Sequence, residues 1–550
     1  MNLFVYLVYY FFLLFSVVGY GYCFTKLFTK EKKNNLGYLG LFGIFFLILI
    51  SYFSHLFISH NLYFNSIILL FGLFNFLYYI FRNYQNEKKN IFLLFLLFFL
   101  LIPFIFVAKN HDDFPYYHFS YIHLLTNFEA FLGIGIFNHG FRTPSSIFYF
   151  SSLFFLPKIN YQLIHIAPVF FVGFLNFIFL KKITKVIHEK KNIYILILSI
   201  LSLCFINIFF ARLAEHGTDR SAQILILLLI VELLQMINAK EINNNNKIDR
   251  ILILITLAVS LKAFYLIYVI FFLVIFYFQK NKINFLFNLF KNKIFYLCSF
   301  LIFLLLMINV FNTGCLIYPM PISCIQSFSW SIPIEEVRHM NQWYQQWSKA
   351  GAGPNFRVEN PEEYIKNFNW ITNWFKMYFF NKVSDYLLAL LFLTTIFILT
   401  LRTQINHIIE KRKFFIIYIF LIFLFIEWFF YHPALRYGGY HLIALLVFIP
   451  IAIYLENRMI INSSAVIKIK VFIVIIFSIF LIKNVTRINF EKKKYNYNFF
   501  SYPSYNLEFQ NFDIFNTIKN IKACTVENNK CLKTNVFINN FYGFDILVRK

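Results

Sequence analysis

The chain reads as an all-α polytopic membrane protein of about thirteen or fourteen hydrophobic helices, and three observations carry that reading. Of its 550 residues, 60% are hydrophobic and only 14% are charged, against about 25% charged in soluble globular chains. The mean hydropathy is +0.65. Apolar runs long enough to cross about 30 Å of hydrocarbon recur along the whole length.

The net charge of +25 would suit a nucleic-acid binder, but its distribution excludes that partner. Lys and Arg gather in short loops such as KLFTKEKKNN (26–35), KKITKVIHEKK (181–191) and KNKIFYL (291–297). Basic loops between spans orient helices, with the positive loops kept in the cytoplasm. The charge therefore reads as topology.

In chain order, the first run, NLFVYLVYYFFLLFSVVGYGYC (2–23), lacks a basic leader and a small-residue cleavage site, so it reads as a retained span. Further spans are expected near 37–58, 66–83, 91–108, 161–180, 193–210, 221–238, 294–311, 386–401, 414–430, 441–456 and 470–483. The long run RILILITLAVSLKAFYLIYVIFFLVIFYFQ (250–279) is flanked on both sides by basic residues. Both flanks belong in the cytoplasm, so the run is expected to be two short helices that meet at Lys262. Both termini then fall on the outer face. With them lie 109–160, 211–220, the tip at Lys262, the loop 312–385, YHPALRYGGY (431–440) and a small tail, 484–550.

The cysteines agree with that layout. Cys23, Cys204 and Cys298 lie in expected spans, where a small apolar thiol is unremarkable. The pairs Cys315–Cys324 and Cys524–Cys531 lie in outer segments, and close pairs in an oxidising compartment read as disulfides. Zinc is the rival ligand, though no His lies near the second pair.

The outer segments also hold the residues that carry chemistry. NHDDFPYYHF (110–119) places Asp112 and Asp113 at the lip of the membrane. Behind them, FSYIHLLTNFEAFL (119–132) reads as interfacial helix, and HGFRTPSS (139–146) as a break. ARLAEHGTDR (211–220) adds Arg212, Glu215, His216, Asp219 and Arg220. Such carboxylates can hold a divalent ion through oxygen, with Asp112, Glu215 and Asp219 as the ligands and Mg2+ or Mn2+ as the ion. Alternatively, one of them acts as general base towards a hydroxyl.

Lys262, an ionisable residue inside an apolar run, is a functional candidate. Arg436 sits at another outer helix end, beside Gly438 and Gly439. Together with Arg220 and Arg212, these cations suit a lipid-linked phosphate at the membrane surface. The bland readings are solvated turn residues for the Asp pair, a snorkelling Lys262 and a span-end anchor for Arg436. His118, His123 and His139 read as interfacial polar residues. In 312–385, Trp330, Trp343, Trp347, Trp370 and Trp374 either anchor the interface or stack on sugar rings.

An acidic pair opening a long outer loop, interfacial helices, then a short acidic second loop: this layout resembles the GT-C superfamily of membrane glycosyltransferases, over residues 91–311. The resemblance implies a transferase that takes a sugar from a polyprenyl-phosphate carrier and passes it to a lipid, glycan or protein acceptor. It puts Asp113 or Asp112 in the place of the catalytic acid of the first loop. It puts Glu215 and Asp219 with the second-loop acids, and Lys262 or Arg436 at the carrier phosphate.

The chain then divides into added spans (1–90), a catalytic membrane core (91–311), an aromatic outer loop (312–385), C-terminal spans (386–483) and the tail (484–550). The expected location is a bacterial inner membrane, with the site facing the periplasm or cell exterior and cell-envelope glycan synthesis as the process. Two rivals differ in chemistry. An O-antigen-type polymerase or ligase would depend on Arg and His rather than Asp. A lipid or glycan transporter would place acids and bases at mid-membrane depth, with inverted repeats.

Overall fold

The computed structural model describes residues 2–29, 35–109, 111, 113–213, 216–239, 241, 244–353, 358–403, 414–505, 536–541 and 543–549. Among them, nine helices are long and apolar enough to span a membrane, and three shorter apolar helices join them. The chain is thus a multi-pass α-helical membrane protein.

Burial separates core from rim. The helix Leu36–His55 and the segments Ile164–Glu189 and Gly217–Asn238 form the centre, the last two with 89% of their most apolar windows buried against 22% for Ser463–Tyr495. The rim turns Phe, Leu and Ile outward, among them Phe81, Leu399, Phe415 and Ile482. Water would reject such a face, whereas lipid accepts it.

Close approach among the first three helices depends on glycine. A Cβ on Gly21 would lie 1.7 Å from the Leu39 carbonyl oxygen, and one on Gly43 would lie 1.9 Å from that of Val17. Small residues of this kind let membrane helices meet backbone to backbone. Gly21→Ala is therefore expected to separate Leu3–Phe28 from Leu36–His55. Overpacking at such a contact costs about 1–3 kcal/mol, to be read as a lower thermal midpoint in detergent.

The spans expected at 66–83 and 91–108 form one helical run, Leu62–Leu100. Ser16 Oγ donates to Leu69 O, and Tyr10 OH donates to Phe98 O. Straight, the run would hold Leu69 and Phe98 about 43 Å apart, yet their partners are only about 9 Å apart along their own helix. The run must therefore bend back between Leu69 and Phe98, an interval that contains the polar stretch RNYQNEKKN (82–90). The polar loop expected there is helical, because Arg82, Gln85, Glu87, Lys88 and Lys89 are good helix formers and no Gly or Pro breaks the run.

The long run around Lys262 does divide. Asn245–Leu261 ends at Lys262 in extended backbone, and a 3-10 helix (Ala263–Ile270) and Phe271–Phe278 follow. Asn245, Gln279, Lys280 and Asn281 line one cavity, so the two flanks of the run share one end of the bundle. That end also carries a buried cluster in which Glu232 meets Lys182 and accepts from Tyr38. The Arg250 guanidinium lies 4.3 Å from the centre of the Tyr38 ring.

The opposite end carries the loops. Short helices are present there, Phe119–Asn127 and Ser146–Ser152, with 3-10 turns between them, and the second is buried along its whole length. The first of these stops at Asn127, short of the expected 132, and Phe131–Leu132 is a strand. It pairs in parallel with Phe544–Arg549, which pairs antiparallel with Val536–Phe541. The tail thus returns to the first loop through a small sheet that hydropathy did not announce. Cys315 and Cys324 are bridged. Cys524 and Cys531 lie outside the described residues.

Candidate functional site

Three helix ends converge at the loop-bearing end. Asp219 sits in a π turn (His216–Arg220) that leads into Ser221–Asn238. Lys262 occupies the break described above. Arg436 lies in the turn Leu435–Tyr437, which Gly438 closes at φ +109°, a conformation that favours glycine.

The two oxygens of Asp219 are divided between the two cations. Lys262 Nζ donates to Oδ1, and Arg436 Nε donates to Oδ2 at 3.2 Å. Arg436 Nη2 then reaches to 4.0 Å from Asp113 Oδ2, and His111 Nδ1 is 3.3 Å from that same oxygen. The Tyr437 ring lies 4.6 Å from Lys262 Nζ and 5.4 Å from the Arg436 guanidinium, so an aromatic face is shared by both charges. Side-chain exposure grades the cluster: 11% for Asp219 and 25% for Lys262, against 34% for Asp113 and 39% for Arg436. Asp113 and Arg436 are the more exposed pair, and Asp219 and Lys262 the more buried one.

The arm that carries Arg436 is fixed from several sides. Gln223 Nε2 donates to the Arg436 carbonyl at 2.8 Å, and the Leu435 amide donates to Tyr378 OH at 2.8 Å. Trp374 Nε1 donates to Pro433 O at 2.8 Å. Trp374 and Trp370 are buried, so these two rings brace the turn and offer no platform to a sugar. Trp343 and Trp347 stack on each other at 5.2 Å.

Behind Asp113, the backbone turns through Phe114–His118 into Phe119–Asn127. The His118 ring closes over Gly217, where a Cβ would lie 3.3 Å from its Cε1. Burial pushes the His118 imidazole down to about 3, with His111 and the two cations adding to the effect and Asp219 opposing it. Burial likewise pushes the His432 imidazole down to about 4. Both rings are neutral at ordinary pH.

Of the residues singled out from the sequence, the structure brings Asp113, Asp219, Lys262 and Arg436 together. Arg220 turns elsewhere, with its guanidinium 4.5 Å from the Phe210 ring centre and 5.7 Å from that of Tyr440. Arg212 is exposed in its loop. His123 lies beside Tyr161, and His139 beside Tyr116. Asp112 and Glu215 lie outside the described residues. The metal set Asp112, Glu215 and Asp219 meets an obstacle at Asp219, because both of its oxygens are engaged by cations. Among the described residues, no group of three or more His, Cys, Asp or Glu is placed to hold a metal.

Sequence reasoning passed over Gln223, Tyr437 and Arg142. The last is buried and ties the first loop to the third. Its Nε donates to Gly135 O at 2.9 Å, Nη1 to Tyr318 OH at 2.8 Å and Nη2 to Glu336 Oε1 at 2.5 Å. An Arg in the apolar first loop was the available signal.

Fold and site together define a class: a multi-pass α-helical membrane protein with an interlocked carboxylate–cation cluster at its loop-bearing end. Residues 3–443 match the family model of a domain of unknown function, DUF8201, and the chain belongs to that family. No curated protein and no solved structure matches it.

Proposed function

We propose that this chain is a membrane glycosyltransferase that moves a sugar from a polyprenyl-phosphate donor to an acceptor hydroxyl. The observation that carries the reading is the convergence of Lys262 and Arg436 beside Asp113, which is one-third exposed. Arg436 uses Nε on Asp219, which leaves the rest of its guanidinium fork for a phosphate. Lys262, which has three donors, keeps two after meeting Asp219.

Asp113 is the base in this scheme, since Asp219 is committed to two cations. Asp113 takes the acceptor proton as the acceptor oxygen forms its bond to the anomeric carbon. The bond from that carbon to the phosphate oxygen breaks, and polyprenyl phosphate leaves with its electron pair. Lys262 and Arg436 meet the charge that develops on the leaving oxygen. Asp219 is a positioning residue that holds both cations at the spot.

The inner membrane, with the site facing the periplasm, is the location this reading requires. The Cys315–Cys324 bridge supports it, because the bridge shares the loop-bearing end with the site and such bonds persist in oxidising compartments.

Binding of polyprenyl phosphate to the purified full chain, followed by native mass spectrometry, tests the carrier site. Arg436→Gln is expected to weaken binding at least about tenfold, the value of one lost charge-assisted hydrogen bond. Equal binding by the variant and the parent would remove the phosphate role from these cations.

A further inference from the structure

Residues 279–293, QKNKINFLFNLFKNK, carry four lysines and no acid. They lie at the end of the bundle opposite the candidate site, where the helix Lys282–Phe290 joins Phe271–Phe278 to Lys293–Thr313. Its nine residues rise about 14 Å, too little to cross about 30 Å of hydrocarbon. Set between two apolar helices, it belongs along the membrane boundary.

At about 100° per residue this helix has three faces. Phe285 and Leu289 are buried, and the Phe285 ring lies 5.8 Å from that of Phe272 and 6.3 Å from that of Phe276, which seats the helix on the bundle. Ile283, Leu286, Phe287 and Phe290 form a second face, and all four are exposed. Asn284 and Asn288, one turn apart, form the third.

The Asn face lines an open cleft together with Lys280 and with Asn245 of the helix Asn245–Leu261. All four of these polar side chains belong to exposed residues, so a ligand can reach them. Two other lining residues are engaged already. Asn281 Oδ1 accepts the Asn284 amide at 3.0 Å, and Asn292 Nδ2 donates to Asp249 Oδ1 at 2.5 Å. Two acids on this side are likewise taken, Asp249 by that bond and Glu241 by Lys247 at 2.7 Å.

An amphipathic helix at the boundary buries its apolar face among acyl chains and keeps its polar face at headgroup level. The exposed Ile and Phe side chains thereby set Lys280 and the Asn face at the depth of lipid phosphates. There an ammonium suits a phosphodiester, and amides donate to phosphate oxygens while accepting from hydroxyls.

We propose that this cleft binds an anionic phospholipid of the adjoining leaflet. Lys280 meets the phosphate, Asn284 and Asn288 hydrogen-bond the headgroup, and Ile283, Phe287 and Phe290 lie along the acyl chains. The site is separate from the sugar chemistry assigned to the other end.

The test uses the purified, delipidated full chain and three probes: phosphatidylglycerol, phosphatidylcholine with the same acyl chains, and glycerol phosphate as the headgroup alone. Native mass spectrometry reads relative affinity. Phosphatidylglycerol is expected to bind more tightly than the other two. Lys280→Gln should weaken it roughly fivefold, the effect of one basic residue at an anionic surface, and leave phosphatidylcholine unchanged. Lys280→Arg keeps the charge and should keep the preference. Asn288→Leu removes an amide from the cleft and should weaken phosphatidylglycerol roughly threefold to tenfold.

Lys88→Gln removes the same charge from an exposed lysine elsewhere and should change nothing. Equal affinity of Lys280→Gln and parent for phosphatidylglycerol overturns the proposal. So does an equal loss in Lys88→Gln, which would mean diffuse attraction to the whole basic chain. Phosphatidylcholine or glycerol phosphate bound as tightly as phosphatidylglycerol overturns it too.

Discussion

Asparagine at position 113 is expected to abolish sugar transfer while the chain still folds. Removing a positioned general base typically costs about 10²–10⁴ in rate. The folding cost should be small, because Asp113 is one-third exposed and its nearest Arg436 nitrogen is 4.0 Å away. Loose, partly exposed pairs contribute only about 0–1 kcal/mol. Asn preserves the shape of the side chain and removes its charge and its ability to take a proton. The measurement is turnover of glycosyl polyprenyl phosphate by parent and variant at matched expression, with thermal midpoints taken alongside. Full turnover by Asp113→Asn would reject Asp113 as the base.

Position 219 should show the opposite balance, with stability failing first. Asp219 is the shared partner of Lys262 and Arg436, and its side chain is only 11% exposed. Asp219→Ala would leave two cations side by side without that partner. Breaking a buried pair from one side costs about 3–5 kcal/mol. The loss should be concentrated in the Lys262 interaction, so adding Lys262→Met to Asp219→Ala should return part of the stability. That non-additivity is the signature of direct coupling. Thermal unfolding of the four proteins in detergent reads it. If Asp219→Ala alone unfolds at the parental temperature, the cluster is not the organising feature of this end.

These two predictions also mark how far the sequence could be read. The reversal at Lys262 was legible because it rests on local facts: an apolar run too long for one crossing, and basic residues on both of its flanks. That Asp113 and Asp219 fall at one end of the bundle, among the loops, was legible for the same reason. What the acids do was not, since their partners come from distant parts of the chain. Lys262 and Arg436 lie 43 and 217 residues from Asp219, and Glu336 lies 194 from Arg142. Counting carboxylates without seeing those cations left a metal site and a general base as equal readings. In the folded chain Asp219 is neutralised by side chains instead.

Two other departures have equally physical causes. The polar stretch 82–90 looked like a loop by hydropathy, yet Arg, Gln, Glu and Lys are good helix formers, so the helical run passes through the bend. The sheet that joins Phe131–Leu132 to Phe544–Arg549 is a two-residue pairing on one side, too short to leave a periodic pattern. Arg142 shows the reverse case. Its buried fork is held by three acceptors, and a lone Arg within an apolar loop hints at that arrangement without naming a partner.

As the proposed transferase, this chain consumes a glycosyl polyprenyl phosphate through Asp113. The most direct measurement is the level of that lipid in membranes of cells lacking the chain, quantified by mass spectrometry and compared after complementation. The lipid is expected to accumulate without the chain, return to the parental level with the wild type, and stay accumulated with Asp113→Asn. An unchanged level in cells lacking the chain, or full restoration by Asp113→Asn, would contradict it.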